Sequence, residues 1–504
     1  MTPSEQRTTI PGGPFAVVGL GASAGGLAAL QTFFEHTPAA SGLAYVVVMH
    51  LSPEHESHLA ALLQTRTDLS VRQVSEDTAL EPDHVFVIPP NRNLETIDGH
   101  LRLRSLEEKR RERAPIDYFF RALAASHRER AVAVVLSGTG SDGSSGLGQV
   151  KEAGGLTVAQ DPGEAEYPAM PQSAINTGQT DLVLAVRDIP AELVKLTGRT
   201  ASPLPDSDDP GDDEDALQQV FSLVYTHTGP DFSPYKPSTV LRRLARRMQL
   251  CHTDALPDYV TLLRRDPEEL HQLYQDLLIS MTNFFRDPEA FGVLERDIVP
   301  KLFVDKLPGE SVRVWTVGCA TGEEAYSLAM LLLEAADTKT PRPPEVQIFA
   351  SDVSERALEV AREGYYQDII AADVSAERLQ RFFSQEPGGG YRVTEALRSR
   401  VVFARHNLLN DPPFSRLDLL VCRNLLIYLK HEVQDSVFNL FYYALRPEGY
   451  LFLSGSESLE DGERSRVLDK AERLFQRRRV GRAARLTQLP LSLPGSKTVP
   501  SWSR

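Results

Sequence analysis

The sequence predicts an α/β protein with two doubly wound domains built on mostly parallel sheets, and three observations predict this fold class. Apolar runs rich in β-branched residues alternate with helical stretches on both sides of residue 200. Prolines and acidic residues dominate the stretch 200–215, which has nothing to bury and is typical of a linker. The chain has 504 residues, more than one hydrophobic core usually organises.

The first predicted domain covers residues 14–195. Its strand candidates are FAVVGL, AYVVVMH, HVFVIPP and AVAVVLSG, and helical stretches such as LAALQTFFEH and PIDYFFRALAASHRE lie between them. This alternation is typical of βαβ units around a parallel sheet.

The region after the linker begins with helical patterns only, over residues 216–290. Strands then resume with VRVWTVG, EVQIFASD, LDLLVC and GYLFLSG. We therefore predict an all-helical cap subdomain at 216–290, followed by a doubly wound domain at 291–482. Residues 485–504 have no usable period and predict a disordered tail.

Charge and composition narrow the function classes. The formal net charge of −15 opposes binding to a nucleic-acid backbone. Cys251, Cys319 and Cys422 are too few for a disulfide framework and too scattered for a ribbon-type metal site, so we expect a reducing compartment and no metal. No apolar run reaches membrane-spanning length and the N terminus has no signal-like stretch, so we expect a cytoplasmic protein without membrane insertion.

A serine hydrolase pattern follows the first strand. Ser23 is the central residue of GASAG, which matches the G-x-S-x-G nucleophile elbow between a strand and a helix. His50 ends the second strand, where an imidazole can act as general base. Asp142 follows AVAVVLSG, where a carboxylate can orient that imidazole. Because ligands bind beyond the carboxyl ends of parallel strands, the pattern predicts a Ser23, His50 and Asp142 triad for ester hydrolysis.

The alternative for this glycine-rich turn is a dinucleotide-binding loop. Such a loop predicts an acidic residue at the end of the second strand, where it holds a ribose. His50 stands there instead. The residues therefore favour hydrolysis.

Four blocks, GASAGG, VVVMHLSPEHES, SGTGSDGSSG and AQDPGEAEYPAMPQSAI, resemble in order those of the chemotaxis protein-glutamate methylesterase family, CheB. The resemblance covers residues 14–195 and implies hydrolysis of glutamate methyl esters, with glutamine deamidation as a related reaction. It also implies that Ser23, His50 and Asp142 are nucleophile, base and orienting acid. Ala24 and Thr139 stand where the family usually has Thr and Met. The family's usual N-terminal receiver domain has no counterpart, so we expect regulation by another route.

The second domain has an acidic turn after its first strand. VRVWTVG is followed by CATGEEAYS and a helix, and the second strand ends in Asp352, which suits hydrogen bonding to ribose hydroxyls. Glu323 and Glu324 repel a pyrophosphate but attract a cation, which favours S-adenosylmethionine over NAD. The alternative is that both glutamates only interact with the helix macrodipole.

Five blocks, MTNFFRDPEAF, VWTVGCATGEEAYSLAM, FASDVSERALEVAREGYY, VVFARHNLL and LDLLVCRNLLIYL, resemble the chemotaxis receptor methyltransferase family, CheR, over residues 216–480. The resemblance implies methyl transfer from S-adenosylmethionine to a protein glutamate, and a small antiparallel β insertion at about 375–403. Tyr428 matches a tyrosine near the methyl acceptor, and Glu323 is favoured over Glu324. The implied cofactor residues are Thr282, Arg286, Glu323, Asp352, Asn407, Leu408, Arg423 and Asn424.

A positive stripe is predicted on the helix TVLRRLARRMQL. Arg242 and Arg246 lie one turn apart, as do Arg243 and Arg247, and like charges at this spacing oppose helix formation. We therefore expect an acidic partner, and the resemblance implies glutamate-rich receptor helices. A solvated face is the alternative, and RNA is less favoured because aromatic interleaving is absent.

The leading hypothesis is a bifunctional chemotaxis-type signalling enzyme. It would add and remove methyl esters on glutamates of methyl-accepting chemotaxis receptors or similar glutamate-rich helical signalling proteins, with a sensor kinase as a further candidate partner. An alternative is a signalling scaffold with an active methyltransferase and an idle esterase domain. A third reading, an RNA or small-molecule methyltransferase joined to an unrelated hydrolase, predicts a basic groove or a base near the cofactor, and neither is evident in the sequence.

Overall fold

The computed structural model describes most of the chain: residues 15–50, 58–105, 114–198, 214–278, 282–304, 306, 310–339, 344–387, 389–455 and 465–478. Most of the predicted linker and all of the predicted tail lie outside the described residues. Within the ranges given above, no helix combines the length and apolar character that a membrane span needs.

The first domain is built on a seven-stranded parallel sheet with the order β10-β9-β8-β1-β2-β5-β3, and β4, β7 and β6 form a small antiparallel sheet beside it. The strands are β1 (Val17–Ala22), β2 (Ala44–Met49), β3 (Ser70–Gln73), β4 (Asp77–Ala79), β5 (His84–Val87), β6 (Arg92–Ile97), β7 (His100–Ser105), β8 (Ala131–Val135), β9 (Leu156–Gln160) and β10 (Leu182–Leu184). The helices are α1 (Gly26–Glu35), α2 (Leu59–Gln64), α3 (Pro115–His127), α4 (Ser144–Glu152), α5 (Ala169–Asn176) and α6 (Ile189–Thr197).

Helices cover both faces of this sheet, which explains why its central strands are apolar throughout. Every residue of β1 and β8 is buried. Phe33 of α1 packs on one face and Phe119 of α3 on the other. A Cβ added at Gly21 of β1 would lie only 2.4 Å from Ile116 of α3, so glycine allows this close approach.

Residues 70–105 differ from the predicted strand and helix alternation. Only HVFVIPP is predicted as a strand there, whereas the structure has five short strands, β3 to β7. Their exposed, charged faces, as in β3 and β6, hide the apolar signal that a buried parallel strand gives.

The helical subdomain consists of α7 (Glu214–Thr228), α8 (Pro237–Leu250), α9 (Leu256–Arg265) and α10 (Pro267–Leu277). Its core is formed by the apolar faces of all four helices, including Val220, Leu244, Tyr259 and Leu273. Phe284, which the sequence analysis assigns to this subdomain, packs instead into the core of the following domain.

The last domain has a seven-stranded sheet with the order β16-β12-β11-β17-β18-β20-β19, parallel from β16 to β18 and antiparallel beyond. Its strands are β11 (Ser311–Val317), β12 (Glu345–Asp352), β16 (Val401–Arg405), β17 (Leu417–Cys422), β18 (Leu445–Leu453), β19 (Ser465–Asp469) and β20 (Leu474–Arg477). Its helices are α11 (Pro288–Val293), α12 (Val299–Leu302), α13 (Glu323–Lys339), α14 (Glu355–Glu363) and α17 (His431–Ala444).

The predicted β insertion is present with different bounds. It contains β13 (Tyr365–Tyr366), α15 (Ala376–Phe382), β14 (Phe383–Gln385) and β15 (Tyr391–Val393), and the strands pair in the order β13-β15-β14. A short helix, α16 (Glu395–Arg398), then leads back to β16. The predicted end near 403 is wrong because Val401–Arg405 pairs with β12 in the main sheet.

A buried ion cluster joins the first domain to the helical subdomain. Lys151 Nζ of α4 lies 3.1 Å from Asp181 Oδ1 and 3.3 Å from Asp276 Oδ1. Arg246 of α8 donates to Asp276 Oδ2 at 3.0 Å and also to Asp181. These groups belong to both units, so the cluster fixes α4 against α8 and α10.

We expect Lys151→Met to lower the free energy of unfolding by about 2 kcal/mol, because Asp181 and Asp276, whose side chains are buried, each lose a cationic partner. Chemical denaturation measures this change, with the exposed Lys301→Met as the matched control. Equal free energies of unfolding in the two variants would show that the ion pairs of Lys151 do not contribute to stability.

Two candidate active sites

The three predicted triad residues meet at one edge of the first sheet. Ser23 follows β1, His50 follows β2 and Asp142 follows β8, and β1 lies between the other two strands. His50 Nδ1 is 3.1 Å from Ser23 Oγ, and His50 Nε2 is 2.9 Å from Asp142 Oδ2. An ionised Asp142 accepts a hydrogen bond from Nε2–H, which leaves Nδ1 to accept the serine hydroxyl proton.

Asp142 is buried and held by the N terminus of α3. Its Oδ2 accepts from the Ile116 amide at 3.1 Å and its Oδ1 accepts from the Asp117 amide at 2.9 Å. Amides at a helix N terminus stabilise a negative charge. The carboxylate is therefore fixed in an orientation that keeps His50 beside Ser23.

The backbone around Ser23 leaves little room for larger side chains. The Ser23 amide donates to Ser137 O at 3.0 Å, and Gly25 caps α1 with φ of 68°. A Cβ at Gly138 would lie 2.9 Å from Ser23 Cβ and 2.0 Å from Met170 Sδ. Ser23 therefore stands on a tight turn at the start of α1, as a nucleophile elbow requires.

Asp117 is a buried carboxyl beside the triad, and no sequence motif points to it. Its Oδ1 accepts from the Gly146 amide at 2.6 Å, and burial together with the nearby Asp142 charge raises its pKa to about 8. Asp117 is thus protonated at neutral pH, while Asp142 is the carboxyl that bonds His50.

The raised pKa of Asp117 predicts a pH-dependent stability. Between about pH 4 and pH 8 the unfolded chain loses this proton while the folded chain keeps it, so stability falls as pH rises. Asp117→Asn removes this loss and should gain about 4 kcal/mol on the wild type as pH rises from about 5 to about 8, because each pH unit contributes about 1.36 kcal/mol. Denaturation at both pH values tests this, with the exposed Asp68→Asn as control. A parallel pH profile in Asp117→Asn and wild type would contradict it.

A second candidate site lies beyond the carboxyl ends of β11, β12 and β17. The cavity there is lined by seven of the eight predicted cofactor residues and by Tyr428. The seven are Thr282, Arg286, Asp352, Asn407, Leu408, Arg423 and Asn424. The chain turns from β11 towards β12 on one side and returns to β17 on the other, so this is the switch point at which open α/β sheets bind ligands.

Asp352 is fixed at the end of β12 by two backbone amides. Its Oδ2 accepts from Ala320 at 2.9 Å and its Oδ1 accepts from Ser354 at 2.8 Å, while burial raises its pKa. Val353 and Leu408 line the same cavity beside this carboxylate. A carboxylate can accept hydrogen bonds from ribose hydroxyls, and the apolar walls beside it can contact an adenine ring. The cavity therefore fits an adenosine group.

The preference for Glu323 over Glu324 stays a prediction, and the lining of the cavity does not support it. Glu324 lines the cavity and Glu323 is not among its lining residues. Glu323 accepts from Thr321 Oγ1 at 2.6 Å, and burial raises its pKa to about 7. Glu324 accepts from Thr316 Oγ1 at 2.6 Å and lies 3.8 Å from Arg423. Neighbouring positions at a helix start point about 100° apart, so only one of them faces the ligand side.

Arg423 also holds the chain around the cavity. Its Nη1 donates to the Arg286 carbonyl at 2.8 Å and its Nη2 donates to Asp287 Oδ2 at 2.6 Å. Its guanidinium lies 4.8 Å from the centre of the Phe452 ring. Arg423 therefore positions the turn that carries Arg286.

Several residues that line the cavity are not among the predicted site residues. Phe232 and Tyr235 come from the loop between α7 and α8, and His406 follows β16. Burial and the Asp352 charge raise the pKa of Tyr235. The aromatic segment PDFSPYKP could have indicated the first two of these residues in the sequence. Glu152, which reaches the cavity from the first domain, has no sequence pattern that indicates a role in this site.

The predicted positive stripe is not a free surface. Arg243 and Arg246 are buried, at 6% and 2% exposure. Arg246 bonds Asp181 and Asp276, and Arg247 bonds Glu269. Arg243 donates to backbone carbonyls of α4, and Arg242 lies 3.9 Å from Glu129. The expectation of an exposed stripe is wrong because the acidic groups that neutralise most of it belong to this chain.

The two folds and their sites define an esterase-type domain, with Ser23 as its predicted nucleophile, followed by a methyltransferase domain that binds S-adenosylmethionine. The family model described as CheB methylesterase matches residues 18–193. The models described as CheR methyltransferase, all-alpha domain and SAM binding domain, match residues 215–278 and 280–473. The chain belongs to the CheR methyltransferase family and carries a CheB methylesterase domain ahead of it. Both resemblances, the fold class and the cofactor are confirmed.

The chain is similar to several known proteins. Chemotaxis protein methyltransferase 1 of Pseudomonas aeruginosa is 34% identical, and the match covers 45% of this chain and 84% of that protein. An uncharacterized 104.1 kDa protein of Rhodobacter capsulatus is 40% identical over 86% of this chain, which spans 47% of that protein's length. The Thermotoga maritima CheB methylesterase catalytic domain is 28% identical over 36% of this chain and 98% of that chain, with a TM-score of 0.34.

Proposed function

We propose that this chain both adds methyl esters to glutamates of receptor proteins and removes them. The observation that carries the proposal is the presence of two separate sites in one chain. Ser23, His50 and Asp142 lie at the carboxyl ends of strands in the first sheet, and the Asp352 cavity lies at the carboxyl ends of strands in the sheet of the last domain. The acceptors are glutamate-rich helical signalling proteins of the chemoreceptor type.

Ester hydrolysis follows from the geometry of the first site. His50 Nδ1 takes the Ser23 hydroxyl proton as Oγ bonds the ester carbonyl carbon, and amides at the start of α1 stabilise the oxyanion. The carbon–methoxy bond breaks and methanol leaves with the proton. Water then attacks the acyl-enzyme with His50 as base, and the glutamate carboxylate is released. The same attack on a glutamine amide would release ammonia.

The second site needs no general base, because a glutamate carboxylate is ionised at neutral pH and is itself the nucleophile. S-Adenosylmethionine supplies the electrophilic methyl group when it is bound. Asp352 would hold its ribose, and Asn407, Leu408 and Arg423, which line the same cavity, would contribute to its pocket. Arg286 and Tyr428 lie at the same cavity and orient the acceptor. The protein's contribution is to align the groups in a site shielded from water.

The proposal is tested by giving purified protein a receptor signalling fragment and S-adenosylmethionine labelled in its methyl group. We expect base-labile label on receptor glutamates, and methanol when a previously methylated receptor is supplied without cofactor. Methylation with no methanol under any condition would support the scaffold alternative with an idle esterase. Absence of both products would reject the proposed function.

A further inference from the structure

Glu152 connects the two catalytic domains at the cofactor cavity. It is the last residue of α4 in the esterase domain, yet it lines the cavity of the methyltransferase domain, whose other lining residues all lie between 230 and 429. Its Oε1 accepts a hydrogen bond of 2.8 Å from the Tyr428 hydroxyl. A glutamate side chain of this protein thus lies in the pocket of a methyltransferase.

The position of Glu152 is fixed by surrounding contacts. Arg243 of α8 donates to the backbone carbonyls of Lys151 at 2.6 Å and Glu152 at 2.7 Å. These are carbonyls at the C terminus of α4, which have no partner inside the helix. Lys151 in turn pairs with Asp181 and Asp276 in the buried cluster. The end of α4 is therefore held on the helical subdomain, with Glu152 directed to Tyr428.

We propose that Glu152 is a methylation site, modified by the methyltransferase domain of its own chain. This inference rests on the proposed function, since it requires that glutamate carboxylates are the acceptors. A Glu152 carboxylate oxygen bonds the methyl carbon, the sulfur–methyl bond breaks, and its electron pair stays on sulfur to give neutral S-adenosylhomocysteine. No proton moves, and the two products are the Glu152 methyl ester and S-adenosylhomocysteine.

Methylation changes the contact that holds Glu152. The ester carries no charge, so the Tyr428 hydroxyl loses a charged acceptor and keeps only a weaker neutral one. The modified side chain therefore binds the cavity less strongly. The esterase of the same chain does not reach it, because α4 begins just after Asp142 and ends at Glu152, about 13 Å of helix away from the triad.

The test uses the full chain with Ser23→Ala, so that no ester is hydrolysed by another molecule, and methyl-labelled cofactor, with and without a receptor fragment. We expect base-labile label on the chain itself without receptor, and a mass increase of one methylene on the peptide that contains Glu152. The rate constant should not depend on protein concentration, since transfer occurs within one chain. Adding Glu152→Gln should abolish the self-label.

A matched control is Glu129→Gln, which changes a glutamate on the same domain that pairs with Arg242 outside the cavity. This variant should keep the self-label. Receptor labelling without label on Glu152 would overturn the inference while leaving the proposed function intact. Label on neither protein would reject both.

A binding measurement tests the geometry without turnover. The Glu152 carboxylate attracts a cation at the methyl position, so the wild type should prefer the ammonium analogue sinefungin over neutral S-adenosylhomocysteine more strongly than Glu152→Gln does. Calorimetry should show a several-fold smaller preference in Glu152→Gln and no change in Glu129→Gln. An unchanged preference in Glu152→Gln would contradict the placement of this carboxylate in the acceptor position.

Discussion

Replacing Ser23 by alanine is expected to lower methanol release from methylated receptor by about 10⁴-fold or more, because the acyl-enzyme can no longer form. Ser23 Oγ is the hydroxyl oxygen that bonds His50 Nδ1, so its removal takes away the predicted nucleophile. Methanol release from a labelled methylated receptor, followed with enzyme in excess, measures the effect.

The matched control for this prediction is Ser41→Ala. Ser41 lies in the loop before β2, away from the triad, and its hydroxyl donates a hydrogen bond to Asp83. The Ser41→Ala variant should leave methanol release unchanged, and Ser23→Ala should leave methyl transfer to the receptor unchanged. Comparable methanol release by Ser23→Ala and wild type would reject Ser23 as nucleophile.

Asp352→Ala is expected to weaken S-adenosylmethionine binding by about 100-fold, or about 2.8 kcal/mol, because charged hydrogen bonds to two ribose hydroxyls are lost. The carboxylate also accepts from Ala320 and Ser354, so the loop after β11 loses support. Asp352→Asn keeps one side-chain oxygen and should show a smaller loss. Calorimetric titration with the cofactor measures both.

The control for Asp352 is Asp337→Asn, an exposed aspartate of α13 that bonds Arg381. Its affinity for the cofactor should equal that of the wild type. Methanol release should be unaffected in all three variants, since the triad lies in another domain. Full cofactor affinity in Asp352→Ala would reject its assignment to the ribose.

The sequence is sufficient to predict a site residue where that residue stands at the end of a buried strand. Ser23, His50 and Asp352 each stand at a strand end, and apolar central strands are easy to recognise. Because the carboxyl ends of parallel strands share one edge of the sheet, the sequence alone predicts that the side chains at these ends lie close together. The catalytic roles of these residues stay predictions until the variants are measured.

The sequence was insufficient where the answer depends on tertiary contacts. Glu323 and Glu324 differ only by one helical step, and the packing of α13 decides which of them faces the cavity. Arg246 looks like part of a solvated stripe because Asp181 lies 65 residues away along the chain. Glu152 has no local pattern, since its neighbours Tyr428 and Arg243 come from other domains.

The most direct measurement of the central claim is the steady state of one reaction that contains wild-type protein, receptor fragment and labelled S-adenosylmethionine. Once receptor methylation has reached its plateau, we expect S-adenosylhomocysteine and methanol to continue to accumulate at equal rates. In Ser23→Ala, both should stop accumulating after the receptor is fully methylated. A wild-type reaction that stops at full methylation without methanol would contradict it.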